Sequence, residues 1–134
     1  MTVAISGSGA LKPLRHARVW LGIWIGALFA TVVASLLPVF LLPAMPPGGD
    51  KLEHFGGYAL LAAAAVQLFA GRRALWRAAL GLVALGVALE IAQGAFTATR
   101  QMDAFDAIAN TCGVAGGMAI ALTPLRDLLL RLRG

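Results

Sequence analysis

A chain of 134 residues that is 60% hydrophobic and only 13% charged, with a mean hydropathy of +0.83, lacks the polar surface a water-soluble domain of this size needs. Eleven Lys and Arg stand against six Asp and Glu, a formal net charge of +5, but the bases lie in short clusters between apolar runs, which is how membrane proteins carry them and argues against a nucleic-acid partner. The single cysteine, Cys112, excludes an intramolecular disulfide and a thiolate metal cluster.

Residues 1–17 read as a disordered, basic cytoplasmic lead, small and polar through Gly9. Residues 19–42 form an uncharged apolar run, longer than the roughly 20 residues a span requires. Val32-Val33-Ala34 after Lys12, Arg15 and Arg18 resembles a signal-peptide cleavage site, but the apolar run continues well past Ala34, longer than an h-region, so a retained span is expected. The proline and glycine break from Leu42 to Gly49 separates it from a second run, 55–70, which Leu52 and His54 extend outward. The third run, 78–96, carries one charge, Glu90, and the fourth, 107–122, is interrupted by glycines. Residues 123–134 read as an amphipathic tail, leucines between arginines, suited to an anionic inner leaflet.

The bases set an orientation. Lys12, Arg15, Arg18, Arg72, Arg73, Arg77, Arg126, Arg131 and Arg133, nine of the eleven, fall on one side of a four-span arrangement, and the positive-inside bias makes that side cytoplasmic. The expected fold is therefore all-α: a polytopic membrane protein, a four-transmembrane-helix bundle over residues 18–122 with both termini inside and a short C-terminal amphipathic helix. Trp20, Trp24 and Trp76 read as interfacial anchors near the inner ends of their spans.

The remaining polar residues collect at the outer ends of three helices. Lys51, His54 and Tyr58 share one face; so do Glu90 and Gln93; and Asp103, Asp106, Asn110, Gly113 and Gly117 form a stripe. Asp50, Glu53, Glu90, Asp103 and Asp106 against Lys51 and Arg100 leave a local charge of −3. Lipid does not tolerate such stripes, because a charge at the bilayer centre costs about 3 kcal/mol, so they must face one another or water. Glu90 lies inside the apolar run and needs a partner; His54 and Arg100 are the ones available.

These residues resemble the signatures of VanZ-like membrane proteins. Asp50, Lys51, His54 and Tyr58 fit the pattern Asp-Lys-x-x-His-x-x-x-Tyr, and Glu90 and Gln93 fit Glu-x-x-Gln. Arg100, Asp103, Asp106, Asn110 and Gly113 fit Arg-x-x-Asp-x-x-Asp-x-x-x-Asn-x-x-Gly. The three motifs appear in order over about residues 45 to 118, with one departure: Phe96-Thr97-Ala98-Thr99 stands where many members have a Pro-Gly turn. The resemblance implies a multi-pass protein of the bacterial inner membrane. The family is named for a member that gives low-level teicoplanin resistance.

The outer polar cluster admits several functions. In the first, Asp50, Lys51, His54, Tyr58, Glu90, Gln93, Arg100, Asp103, Asp106 and Asn110 bind a lipid headgroup, a lipid-linked precursor or a lipoglycopeptide. Lys51 and Arg100 would hold phosphate, and the excess of acid would fit amines or a bridging cation. In the second, His54 acts as a general base on a lipid, with Glu90, Asp103 and Asp106 as further catalytic candidates; no convincing nucleophile accompanies them, Ser35 lying outside the motifs and Cys112 reading as a packing residue. Whether the chain is an enzyme stays open. In the third, His54, Glu90, Asp103 and Asp106 hold a divalent metal, although no cofactor is expected. In the fourth, the cluster is a buried polar knot that only locks helices. Gly22 with Gly26, or Gly113 with Gly117, are small-xxx-small pairs that permit close crossings within the chain or between copies.

Overall fold

The computed structural model describes residues 9–99 and 101–133; Arg100, one of the expected ligand-binding residues, and residues 1–8 of the lead expected to be disordered lie outside the described residues. Five α-helices follow in order: α1 Ala17–Leu36, α2 Gly49–Leu68, α3 Arg72–Phe96, α4 Ala104–Met118 and α5 Leu128–Arg133. Among the described residues there is no strand beyond one isolated bridge, Leu11 with Phe69. The all-α expectation holds. Three stretches, Ala17–Leu36, Arg72–Phe96 and Ala104–Leu122, are long and apolar enough to cross a membrane, which makes this a multi-pass membrane protein. Helix α2 is 20 residues long, but its first two turns carry Asp50, Lys51, Glu53 and His54. Its remainder is the most buried part of the chain, with Tyr58, Leu61, Ala62, Ala65, Val66 and Leu68 all covered.

The helix ends depart from the hydropathy runs for local reasons. Helix α1 stops at Leu36 rather than continuing to residue 42, because Leu37 precedes Pro38 and takes extended backbone with ψ 148°. Helix α2 begins at Gly49 rather than residue 55: Gly48, at φ 80°, supplies the left-handed reversal, so the polar motif is helical from its first residue. Arg72, Arg73 and Arg77 stand on the opening turns of α3, not in a loop, after a turn at Gly71 with φ 85°. Helix α4 starts earlier than expected because Asp103 caps it, its carboxylate accepting from the Phe105 N–H at 2.8 Å. A 3₁₀ turn, Ala119–Leu122, extends α4 to the end of the expected run.

Helices α2 and α4 run parallel as the tightest pair in the chain. Gly113 and Gly117 of α4 are buried against Phe55, Ala59, Ala62 and Ala63 of α2. A methyl at Gly117 would lie 2.6 Å from Ala62 Cβ, and one at Gly113 would strike the Phe55 carbonyl. This glycine face is thus used within the chain, whereas Gly22 and Gly26 of α1 have open space beside them. Tyr58, Leu61, Ala62, Leu82 and Val114 form the core, with Trp24 and Leu28 packed on its edge. Helix α1 has no buried residue.

The parallel arrangement sorts the charges. The acidic cluster sits at one end of the bundle; the lead, the α2–α3 turn and the tail meet at the other. There the described part of the lead is fixed rather than disordered. Lys12 N–H donates to Leu68 O at 2.7 Å, and Ala70 N–H donates to Ala10 O at 2.7 Å. The Lys12 ammonium donates to Val66 O at 2.7 Å and to Arg126 O at 2.5 Å, and pairs with Asp127 at 2.9 Å. Helix C-termini leave carbonyls without partners, and Lys12 fills that need on α2. The tail is likewise pinned. Gln67 of α2 donates to Leu125 O at 2.9 Å and accepts from Leu129 N–H at 3.0 Å, so the amphipathic segment is anchored on the bundle instead of being tethered loosely.

Candidate functional site

The acidic end is built on three helix termini: the starts of α2 and α4 and the last turns of α3. The two N-termini suit their residues. Asp50 and Asp106 stand in the first turns of α2 and α4, where the helix dipole favours negative charge. Lys51 crosses from α2 to α4 and binds Asp103 at 2.7 Å, Asp106 in closer contact, and its neighbour Asp50 at 3.3 Å. Its hydrogen bond holds the Asp103 carboxyl below the usual carboxylate range, helped by the Phe105 N–H.

Behind Lys51 lies a second layer. His54 Nδ1 is 2.9 Å from Asn110 Oδ1 and 3.9 Å from Glu90 Oε1, while Nε2 lies 3.5 Å from Asp106 Oδ2. Glu90 is only 3% exposed and receives the Asp103 backbone N–H at 3.2 Å. The expected partner His54 is therefore present beside Glu90. Asn110 and Tyr58 are both buried next to Gly86, where a methyl would meet Asn110 Nδ2 at 3.2 Å and the Tyr58 ring at 3.4 Å. Gln93 reaches across to α1, donating to Ser35 O at 2.9 Å.

Nine of the ten expected ligand-binding residues thus gather at one end of the bundle. Asp50, His54, Gln93, Asp103 and Asp106 line a cleft of about 870 Å³, whereas Tyr58 lines a smaller adjoining cavity and Glu90 and Asn110 are buried behind His54. The cleft has an apolar wall as well, from Phe40, Leu42 and Met45 of the α1–α2 connection and Met102 before α4. That wall, and Glu53, were not singled out by motif: Glu53 lines the cleft and makes no ion pair among the described residues. Ser35 contributes through its backbone carbonyl, which no side-chain pattern reveals.

Chemically, the cluster combines a fixed ammonium, a histidine held by an amide and carboxylates, and an acidic, half-apolar mouth. Donor atoms of His54, Glu90 and Asp106 lie within 4.8 Å of one another, close enough to share a cation; Asp103 is outside that group and belongs to Lys51 and the α4 cap. Cys112 is exposed and not among the cleft residues. No family model, curated protein or solved structure matches this chain.

Proposed function

We propose that this is a four-span protein of the bacterial inner membrane, akin to the VanZ-like proteins its motifs resemble, with both termini in the cytoplasm. It binds an amphiphilic ligand in the acidic cleft at the outer leaflet: a lipid, a lipid-linked precursor or a lipoglycopeptide such as teicoplanin. Helix α2 is the remaining span, and the clustering of bases at the opposite end of the bundle supports the orientation. The observation that carries the ligand reading is the cleft itself, where one wall is apolar and the other presents Asp50, Glu53, Asp103 and Asp106. Lys51 is already bonded to three carboxylates, so an anionic group is a poorer match for the cleft than a cationic or zwitterionic one.

The test is mass spectrometry of a bacterial lipid extract equilibrated with purified protein in nanodiscs, wild type against Asp106→Asn. A lipid retained by the wild type and lost by the variant supports binding; identical lipid profiles overturn it. Orientation is tested separately: Ala44→Cys in a Cys112→Ser background labels from outside in intact cells, and labelling only after lysis reverses the orientation.

One contact favours a second reading, hydrolysis or transfer on a lipid with His54 as general base. His54 Nε2 faces the Asp106 carboxylate at 3.5 Å, an orienting pair of the kind general bases use. The same experiment separates the two, because turnover changes a lipid's mass whereas binding only retains it.

A further inference from the structure

Helix α1 is tied to the bundle towards both ends, with Leu28 packed on the core between the ties, and a gap remains on the side that faces Gly57 and Leu60 of α2. At the acidic end Gln93 bonds Ser35 O at 2.9 Å, and just beyond the helix Val39 N–H donates to Thr99 Oγ1 at 3.3 Å. Nearer the basic end Trp24 Nε1 donates to Leu61 O at 3.0 Å, and its ring meets Phe69 edge-on at 5.3 Å. Between these ties Thr31 turns its hydroxyl to its own helix, donating to Ala27 O at 2.9 Å, and Gly57 on α2 has nothing within 4 Å of where a side chain would begin.

The gap is a trench in three connected parts. The acidic cleft shares Leu42, Glu53 and His54 with a cavity of about 180 Å³. That cavity shares Thr31 and Gly57 with a groove of about 730 Å³ between α1, α2 and the tail. From His54 to Leu68 the trench follows α2 for about 21 Å at 1.5 Å per residue, longer than half of a hydrocarbon core about 30 Å thick. Trp20, Ile23, Leu60, Leu61 and Leu128 give the groove its apolar lining. Its polar members are already engaged, Thr31 within α1 and Gln67 with the tail. A hydrocarbon chain lying along the helices fits this lining, and the charge at the mouth selects the other end of the molecule. Among the described residues Glu53 has no ion pair, and the one described cation of the cluster, Lys51, is held by three carboxylates.

We infer that the trench holds a single long-chain lipid with a primary-ammonium headgroup, its ammonium against Glu53 and Asp50 in the cleft and its chain in the groove between α1 and α2. The inference rests on the reading of the cleft as a ligand site and adds the headgroup charge and the path of the chain.

Trp20 and Trp24 line the groove and Trp76 does not, so Trp76→Phe leaves two reporters inside it. This protein, in phosphatidylcholine nanodiscs, is titrated with phosphatidylethanolamine brominated on its acyl chains. Tryptophan fluorescence is expected to fall and saturate at low mole fraction, whereas brominated phosphatidylglycerol gives only the shallow, linear quenching of random contact. Gly57→Leu, which grows into open space where the cavity meets the groove, removes the saturating component with circular dichroism unchanged. Glu53→Gln shifts the midpoint about tenfold towards higher lipid. Linear quenching by both lipids, with headgroup-selective retention still seen by mass spectrometry, overturns the chain path and leaves the cleft reading standing; loss of both sinks the two together. Saturation indifferent to headgroup overturns the ammonium assignment. Quenching that fades as protein density in the membrane rises gives the groove to a second copy of the chain and overturns the proposal.

Discussion

Helices α2 and α4 on one side and α1 on the other solve the same problem differently. The α2–α4 pair brings backbones together: Gly113 and Gly117 lie against α2 without room for a methyl, and Lys51 ties the two N-termini to each other through Asp103 and Asp106. Helix α1 is as apolar as any helix here, yet it buries no residue; Ser35 O and the Trp24 indole bond it to the bundle, and Val39 N–H ties the turn that follows it. In lipid, apolar surface gains little from leaving hydrocarbon, so association depends on close packing and polar contacts. A hydrophobic helix without small residues facing a partner therefore remains at the periphery. The difference separates a closely packed platform, which carries the polar cluster, from a wall that packs on it without a buried residue.

Substitution at the glycine face is the harshest way to break that contrast. Gly117→Leu is expected to abolish folded protein in fluorescence-detected gel filtration, and Gly113→Ala to cost about 1–3 kcal/mol from overpacking, read as a lowered thermal midpoint in detergent. Wild-type midpoints for both would mean the α2–α4 packing is wrong. Next in size, Lys51→Met leaves Asp103 and Asp106 without their cation and is expected to lower the thermal midpoint in the same melt by less than Gly113→Ala does, because solvent screens the exposed side of the pair.

That ion pair also predicts a pH dependence. Asp103 has a carboxyl lowered by Lys51, so the stability it contributes is present above the ordinary carboxylate pKa and is lost as pH falls through the lowered value. The thermal midpoint should drop between pH 5 and pH 3 in the wild type and less steeply in Asp103→Asn; parallel curves would count against the pair. A smaller effect is expected in α1, where Trp24→Phe removes one hydrogen bond worth about 1 kcal/mol. Hydrogen exchange should then quicken in α1 and stay unchanged in α4. Smallest of all, Gly22→Ala and Gly26→Ala should move stability by no more than about 0.5 kcal/mol, since both face open space. A large loss at either would reveal a partner on that face.

Much of this was legible in the residues. The helical class followed from apolar runs, and the gathering of Lys51, His54, Glu90, Asp103, Asp106 and Asn110 followed from helical spacing together with the intolerance of lipid for charge. Helix ends were less legible because they depend on single backbone conformations: Pro38 cuts α1 short, and Gly48 starts α2 early. The role of Gly113 and Gly117 was left between internal and intermolecular packing, since a small-residue pair announces a close approach without naming the partner. The Lys12 contacts were invisible for another reason. They use the carbonyls of Val66 and Arg126, and backbone acceptors leave no trace in side-chain patterns.

Those Lys12 contacts have a bearing on biogenesis. Lys12 and Asp127 are joined across nearly the whole chain, and the Lys12 hydrogen bond is what lowers the Asp127 carboxyl. During synthesis the lead emerges first and waits with an uncompensated charge, because its acceptors on the tail do not yet exist. Closure of this end of the bundle is therefore a late event, completed only after residues 124–127 have left the ribosome, and a nascent chain stalled before them would hold α1 to α4 with the latch still open.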